Sequence, residues 1–270
     1  MGLPDPGPHT TCLVTGASSG IGAHLARELA GRGLGVVLVA RRRDRLVALA
    51  DELRDAHRVR VEVLPADLAD PQARADLPEA VDQLGLTVEV LVNNAGLTTI
   101  GPVRRADRDA ELRLVRTDVE AVVDLCTTFV PGMATRRRGA VLNVASTAAY
   151  QPLPGQAAYG ASKAFVLSYS YALREELRSV GVTVTALCPG PVETEFADVA
   201  GGPGGQAGTA LPKFMWVPAA DVARAAVEGL AADRPVVIPG LANRLGALGS
   251  HLAPPTLVTS IVARQHPGLR

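Results

Sequence analysis

Tyr159 and Lys163 are the two residues of this chain whose types and spacing most directly suggest chemistry. The sequence contains only two lysines, Lys163 and Lys213, although Lys and Arg together number 27. An ammonium is a compact point charge with three donors, whereas a guanidinium is a planar fork. A lysine at position 163, in a chain that otherwise uses arginine, therefore indicates a need for an ammonium. On a helix, residues four apart share one face, which would bring the ammonium beside the phenol. The same spacing also fits a solvated helix, so its interpretation depends on the residues that precede it.

A glycine-rich turn near the N-terminus predicts a phosphate-binding loop. Residues 15–22 read Thr-Gly-Ala-Ser-Ser-Gly-Ile-Gly and lie between an apolar strand pattern and a helical pattern. The first glycine allows a tight turn, the second lets backbone amides approach a pyrophosphate, and the third permits close packing of the helix on the strand. An ordinary turn is the alternative, but the strand before it and the helix after it favour dinucleotide binding. The residues assigned to it are Gly16, Ser18, Ser19, Gly20, Ile21 and Gly22.

The end of the second predicted strand indicates which dinucleotide binds. About 20 residues beyond the glycines, an NAD site would offer a carboxylate to the ribose hydroxyls. Here Ala40 stands in that region, followed by Arg41 and Arg42. Two guanidinium groups could clamp a 2′-phosphate and stack on adenine, so NADP(H) is favoured over NAD(H). Alternatively, these arginines are only solvent-exposed charges before the next helix, with no role in cofactor binding.

Short apolar runs alternate with longer helical patterns along the chain. Apolar strands that are each followed by a crossover helix predict an α/β fold, a single Rossmann-type domain with a doubly wound parallel sheet covered by helices on both faces. Strands are predicted at 11–15, 34–40, 59–65, 88–93, 139–145, 182–188 and 235–238. Helices are predicted at 21–32, 45–56, 71–84, 108–133, 156–180 and 217–232.

Composition limits the remaining functions. The 270 residues suffice for one large domain, and the formal net charge of zero gives no electrostatic case for nucleic acid. Three distant cysteines within apolar runs, Cys12, Cys126 and Cys188, indicate reduced buried thiols and no metal site. The first residues lack a leader pattern, and no stretch approaches the roughly 20 apolar residues of a membrane span, so a cytoplasmic location is expected.

Several ordered motifs together make the chain resemble the classical short-chain dehydrogenase/reductase family. They are the glycine-rich loop, Asp67-Leu68, Asn93-Asn94-Ala95-Gly96, Ser146, Tyr159 with Lys163, and the run from Pro189 to Thr194. The resemblance implies that Asp67 and Leu68 contact adenine, and that Asn94, Ala95 and Gly96 lie beside the cofactor ribose. It also implies that Lys163 binds the nicotinamide ribose and that Thr194 holds the carboxamide. Pro189, Gly190 and Val192 complete the cofactor residues that it implies.

The three residues Ser146, Tyr159 and Lys163 suit carbonyl reduction. A carbonyl carbon that accepts hydride leaves an alkoxide, which needs a hydrogen-bond donor and then a proton. Ser146 would supply the donor and Tyr159 the proton. A free phenol has a pKa of about 10, so Lys163 and the oxidised nicotinamide are expected to lower the pKa of Tyr159.

Asp118 departs from the family pattern. It stands where the family usually has a fourth catalytic residue, an asparagine thought to hold a water in a proton relay. Aspartate keeps an acceptor but adds a charge and loses the amide donors. The enzyme is then expected to be active with an altered pH dependence. The alternative is a non-catalytic nucleotide-binding regulator, while a sugar-nucleotide epimerase is disfavoured because no sizeable C-terminal substrate domain follows.

The rest of the chain is expected to serve substrate binding and assembly. We divide it into an N-terminal extension (1–10), the catalytic domain (11–238) with a substrate loop near 195–216, and a helical extension (239–270). In that extension, Leu241, Leu245, Leu248 and Leu252 predict an apolar helix face that packs on the domain or on a second subunit. The substrate is a small carbonyl or alcohol compound, with the apolar loops favouring an apolar or acyl-type molecule. Members of the family often associate through two long helices, so the resemblance implies a homodimer or homotetramer that assembles through the helices predicted at 108–133 and 156–180.

Overall fold

The computed structural model describes residues 2–194 and 212–265, and its centre is a parallel sheet of seven strands. The strands are β1 (Thr10–Thr15), β2 (Val36–Ala40), β3 (Val61–Pro65), β4 (Thr87–Asn93), β5 (Gly139–Val144), β6 (Val182–Leu187) and β7 (Val236–Val237). Their order is β3-β2-β1-β4-β5-β6-β7, and every neighbouring pair is parallel. The order reverses between β1 and β4, which is the point where ligands bind in this class of sheet. The predicted doubly wound fold is confirmed.

Helices cover both faces of this sheet. They are α1 (Gly20–Ala30), α2 (Arg43–His57), α3 (Pro71–Gln83), α4 (Arg108–Val115), α5 (Ala121–Arg136), α6 (Ala157–Leu177), α7 (Ala219–Ala231), α8 (Leu241–Leu252) and α9 (Pro255–Gln265). Local chemistry sets several of their starts. Asp70 caps α3 by accepting from the Gln72 amide at 2.9 Å, with Pro71 at the first helical position, and Asp107 caps α4.

Alternating side chains of the strands fill two separate cores. In β1, Cys12 and Val14 point to the core shared with α1, α2 and α7, while Leu13 points to the core shared with α3, α5 and α6. Both cores consist mainly of leucine, valine and alanine that are almost fully buried. The central strands β1, β2, β4, β5 and β6 are buried on both faces, so their sequences are mainly apolar, and this is why they could be located from sequence.

The long helix predicted at 108–133 is divided in the structure. A five-residue π-helical segment, Arg116–Glu120, separates α4 from α5. A π-turn adds a residue to the helical ladder and re-aims the side chains beside it, and such turns are frequent at functional sites. Asp118 lies within this segment, where it is fully buried.

Helix α8 meets the domain with a different face from its leucine stripe, which leaves a second subunit as the predicted partner of that stripe. Leu241, Leu245, Leu248 and Leu252 do form one stripe of α8, but each is more than half exposed, so the stripe does not pack on the domain. The opposite face of α8, with Asn243 and Ala247, is buried instead. Small and polar residues therefore make the contact with the domain. A search for apolar periodicity cannot detect such a contact face. Within residues 2–194 and 212–265, no helix combines the length and apolar character that crossing a bilayer requires.

Candidate active site

One cleft of about 1260 Å³ runs along the carboxyl edge of the sheet. It is lined at one end by the glycine-rich loop, at its centre by Ser146, Tyr159 and Lys163, and at the other end by α8 and α9. All the residues assigned to the cofactor from sequence also line this cleft. The substrate loop predicted near 195–216 falls mostly outside the described residues, and of it Pro212, Met215 and Trp216 line the cleft.

The glycine-rich loop is held in place by the residues that follow β4. The Asn94 side-chain amide donates to the Thr15 carbonyl at 2.9 Å, and the Thr15 hydroxyl accepts from the Asn94 and Ala95 amides at 2.9 and 3.0 Å. Gly16 has a φ of +64°, and a Cβ there would lie 2.7 Å from the Asn94 nitrogen. Asn94 thus fixes the shape of the loop, so its side chain has a structural task in addition to any contact with a ribose.

The start of α1 is suited to an anion. Ser19 is the N-cap residue, yet its side chain makes no capping hydrogen bond, so the amides of the first turn remain available to a ligand. A Cβ on Gly22 would lie 2.4 Å from the Gly16 carbonyl oxygen, which means that only glycine lets the helix approach the loop this closely. The side chain of Thr194 lies over Gly20, about 3.1 Å from the place of a Cβ.

Arg42 bridges β2 to the glycine-rich loop. Its guanidinium donates to the Ser18 hydroxyl at 3.1 and 3.2 Å and to the Ser19 hydroxyl at 2.8 Å. Arg41 lines the same end of the cleft, and Ala40 contributes no carboxylate. The Arg42 guanidinium and the two hydroxyls therefore lie together at the end of the cleft that Arg41 also lines.

Asp67 and Leu68 line the same end, but the Asp67 carboxylate already has partners. It accepts from the Ala69 amide at 3.1 Å and forms an ion pair with Arg113 of α4. Arg113 also lines the cleft, and sequence reasoning did not identify it because no motif marks it. An adenine at this end would meet a paired carboxylate.

Ser146 and Tyr159 lie at the centre of the cleft. Ser146 is 9 % exposed, and its hydroxyl accepts from the Ala148 amide at 3.1 Å, so it also caps the short 3-10 turn Thr147–Tyr150. Burial raises the pKa of Tyr159 above its ordinary value, whereas the charge of Lys163 and a hydrogen bond from Ser146 act to lower it. The prediction that Lys163 lowers this pKa is right in direction, but burial outweighs it in the protein alone, and the charge of Asp118 adds to the rise.

Lys163 and Asp118 form a buried ion pair. Lys163 Nζ lies 3.0 Å from Asp118 Oδ2 and donates to the Val144 carbonyl at 3.1 Å, while the Leu97 amide donates to Asp118 Oδ1 at 2.7 Å. A Cβ on Gly96 would lie 3.2 Å from Asp118 Oδ2 and 3.3 Å from Lys163 Nζ, so glycine here makes room for the pair. The ammonium lies 5.7 Å from the centre of the Tyr159 ring.

Burial pulls the pKa values of this pair in opposite directions. Burial raises the pKa of Asp118 above its ordinary value, and the nearby ammonium offsets only part of the rise. Burial alone would lower the pKa of Lys163, but the charges of Asp118 and Tyr159 more than compensate and raise it. At neutral pH the lysine is therefore held as an ammonium, which is the form that can stabilise a phenolate.

The turn after β6 connects the cleft to the C-terminal helices. Pro189, Gly190 and Val192 line the cleft, and the Pro189 carbonyl accepts from the Thr147 amide at 2.9 Å. The buried Asn243 of α8 lies against Gly190, where a Cβ would come within 2.4 Å of its amide group. Sequence reasoning overlooked Asn243 because a single asparagine in a leucine-rich helix carries no motif.

The end of the cleft beyond Tyr159 has few polar groups. Gln156 donates to the Thr98 hydroxyl at 2.8 Å, and Ser250 of α8 donates to Gln151 at 2.8 Å. The other described residues at this end are small or apolar, and they are Leu97, Ala148, Leu153, Pro212, Met215, Trp216, Gly246, Gly249, Val258, Ile261 and Val262. Within the described residues, no cluster of His, Cys, Asp or Glu is arranged to hold a metal ion.

Comparison with known proteins agrees with this geometry. The family model described as short chain dehydrogenase matches residues 10–201. The chain is 40 % identical over 194 residues to a protein named sulfoacetaldehyde reductase from Chromohalobacter salexigens, covering 69 % of this chain and 74 % of the relative.

Two solved structures extend the comparison over more of the chain. A short-chain dehydrogenase from Sphingobium yanoikuyae in complex with NADPH is 36 % identical, with a TM-score of 0.79 and coverage of 89 % and 92 %. An alcohol dehydrogenase from Comamonas testosteroni, described as specific for bulky-bulky ketones, is 28 % identical, with a TM-score of 0.75 and coverage of 96 % of both chains.

The sheet, the glycine-rich cleft and the family match together define the class: the chain belongs to the short-chain dehydrogenase family of oxidoreductases.

Proposed function

We propose that this protein is an NADP(H)-dependent oxidoreductase that interconverts a ketone or aldehyde with an alcohol. The observation that carries the proposal is the meeting of Ser146, Tyr159 and Lys163 in one cleft with a loop suited to a dinucleotide phosphate. The similarity of the chain to dehydrogenases and reductases, one of them bound to NADPH, supports the same reaction class.

The residues of the cleft fit an NADP(H) molecule. The amides at the start of α1 and the turn at Gly16 and Gly20 would hold the pyrophosphate, while Arg41 and Arg42 would hold the 2′-phosphate. At the other end of the cofactor, Lys163 would hold the nicotinamide ribose and Thr194 the carboxamide, as in the family. When bound, the nicotinamide supplies or accepts the hydride.

The chain's own residues handle the oxygen and the proton. Ser146 donates a hydrogen bond to the substrate oxygen, where negative charge develops as the carbonyl is reduced. Tyr159 then gives its hydroxyl proton to that oxygen, and it takes the proton back in the oxidative direction. Because burial raises the pKa of Tyr159, its hydroxyl is protonated at neutral pH and ready to act as an acid.

Lys163 acts on this step through charge. Its ammonium stabilises the phenolate that forms when Tyr159 loses its proton, and Asp118 with the Val144 carbonyl orients the ammonium. In this chain Asp118 is therefore a positioning residue for Lys163. The aspartate compensates for the missing asparagine by holding the lysine directly.

The substrate we propose is apolar. Charged side chains among the described lining residues are Arg41, Arg42, Asp67 and Arg113 at the nucleotide end, and Lys163, which Asp118 already pairs. Residues 195–211 contain no Lys, Arg or His. Among these residues a sulfonate or carboxylate near the carbonyl would find no unpaired cation, which favours an uncharged apolar or acyl-type compound over sulfoacetaldehyde.

Turnover of reduced cofactor tests the proposal. The purified protein would be given NADPH or NADH with a panel of apolar ketones and aldehydes, and cofactor consumption would be followed. We expect turnover with NADPH to exceed turnover with NADH. Binding of NADPH without turnover of any panel member would instead favour a nucleotide-dependent regulator, the alternative that Asp118 raises.

We further propose that the protein assembles through the helices predicted at 108–133 and 156–180. Leu112 and Val115 of α4 and Phe165 and Tyr171 of α6 are each at least 38 % exposed, which supports a homodimer or homotetramer through these helices. Light scattering on the purified protein tests it, and a monomer would contradict it. The division into a catalytic domain (11–238) with extensions at 1–10 and 239–270 remains a prediction, which limited proteolysis tests. The cytoplasmic location also remains a prediction, which cell fractionation tests.

A further inference from the structure

The cleft of about 1260 Å³ extends beyond the residues that would hold a dinucleotide. The dinucleotide residues account for one end. The other end continues beyond Tyr159 to a wall made by α8 and α9, so space remains for a second molecule of considerable size.

The wall from α8 contains two glycines with open space in front of them. Gly246 and Gly249 lie inside a helix, where glycine is less stable than alanine. Both glycines are exposed and line the cleft, and a Cβ at either position would meet nothing within 4 Å. By contrast, Gly22 and Gly190 are each closed in by neighbouring atoms. Packing within the described residues therefore gives no reason for glycine at 246 and 249.

This wall is tied to the catalytic centre. α8 packs against the 3-10 turn Thr147–Tyr150, which starts at Ser146, and Ser250 donates to Gln151 at 2.8 Å. The hollow in front of Gly246 and Gly249 thus lies in the same cleft as the reacting oxygen. The other described residues at this end are uncharged: Val258 and Ile261 of α9 are apolar, and the polar side chains are paired as Ser250 with Gln151 and Gln156 with Thr98.

We infer that Gly246 and Gly249 determine substrate size, and that their hollow receives a bulky, uncharged hydrocarbon group attached to the carbonyl. The inference rests on the proposed function and narrows its substrate class to ketones that carry a ring or branched chain. A larger side chain at either position fills the hollow and excludes such a group. Small ketones reach Ser146 and Tyr159 without using it.

The test compares dicyclohexyl ketone with acetone in the wild type and in Gly246→Leu, Gly249→Leu and Gly249→Ala variants. Excluding even one methylene in an apolar pocket changes selectivity by roughly 10- to 200-fold. We expect the ratio of kcat/KM for dicyclohexyl ketone over acetone to fall at least about tenfold in both leucine variants. Gly249→Ala should raise the thermal midpoint, because alanine favours the helix, while the same ratio falls by a smaller factor.

A binding measurement separates this inference from the proposed function. Trp216, the only tryptophan of the chain, lines the cleft, so its fluorescence reports ligand binding without turnover. With NADP⁺ present, dicyclohexyl ketone should change this fluorescence in the wild type and at least about tenfold more weakly in Gly249→Leu. Leu245→Ala, on the exposed face of the same helix, is the matched control and should bind like the wild type.

The outcomes are distinct. Equal dicyclohexyl ketone binding by the wild type and Gly249→Leu, or equal losses in Leu245→Ala and Gly249→Leu, would overturn the role of the glycines. A wild type that binds dicyclohexyl ketone but reduces no ketone would contradict the proposed function and leave the size-determining hollow supported. Failure of the wild type to bind this ketone at all would overturn the inference.

Discussion

Removing Lys163 from its ion pair with Asp118 should destabilise the protein strongly, and removing both charges should not. At 3.0 Å, with an effective dielectric constant of about 20, the two charges attract by about 5.5 kcal/mol. The cost of taking both ions out of water cancels most of this gain. Lys163→Met leaves the Asp118 carboxylate buried without its partner, which costs about 3–5 kcal/mol. Asp118→Asn should cost less, because burial already raises the pKa of Asp118 and so disfavours its charged form in the folded chain.

A double-mutant cycle measures this coupling. The free energy of unfolding in urea would be determined for the wild type, Asp118→Asn, Lys163→Met and the double variant, all without cofactor. Asparagine keeps an acceptor for the Leu97 amide, so the cycle isolates the charge. We expect the double variant to be at least about 2 kcal/mol more stable than the sum of the single effects implies. Additivity within about 0.5 kcal/mol would refute the account of a paired, fully buried charge.

The protonation of Asp118, the close packing at Gly22 and the arginines after β2 can each be tested separately. Because burial raises the pKa of Asp118, the folded chain keeps this proton to higher pH than the unfolded chain, and the stability it adds below about pH 4 is lost as pH rises. Urea unfolding between pH 4 and 7 should show the wild type losing stability relative to Asp118→Asn, and parallel pH curves would contradict this. Gly22→Ala should weaken NADPH binding at least about tenfold in calorimetry, since its Cβ would lie 2.4 Å from the Gly16 oxygen; unchanged affinity would mean that the loop tolerates the shift. Replacing Arg41 or Arg42 by alanine should reduce the preference for NADPH over NADH at least about tenfold in kcat/KM, and an unchanged ratio would remove these arginines from cofactor choice.

The sheet and the nucleotide end of the cleft were predictable because short-range patterns encode them. Strands buried on both faces are continuous apolar runs, and the glycines at 16, 20 and 22 mark a turn that only they can form. Each of these signals is contained within a few consecutive residues, so no knowledge of distant contacts is needed to recognise it.

Features that depend on distant contacts were not predictable in the same way. The π-helical segment that carries Asp118 has no local breaker, and a periodicity search sees one long helix across it. Apolar periodicity located the leucine stripe of α8 but does not show which face of the helix meets the domain; Asn243 and Ala247 make that contact. The rise in the pKa of Tyr159 depends on burial in the assembled cleft, which the spacing from Tyr159 to Lys163 does not contain.

The effect of Tyr159→Phe on turnover and on cofactor binding tests the central claim most directly. The phenyl ring keeps the packing of Tyr159 but removes the proton that the proposal transfers to the substrate oxygen. Loss of a positioned acid–base group costs typically 10²- to 10⁴-fold, so kcat with NADPH and an accepted ketone should fall by about that factor while NADPH affinity stays within about threefold. A variant that turns over the ketone as fast as the wild type would contradict the assignment of Tyr159 as the proton donor and, with it, the proposed mechanism.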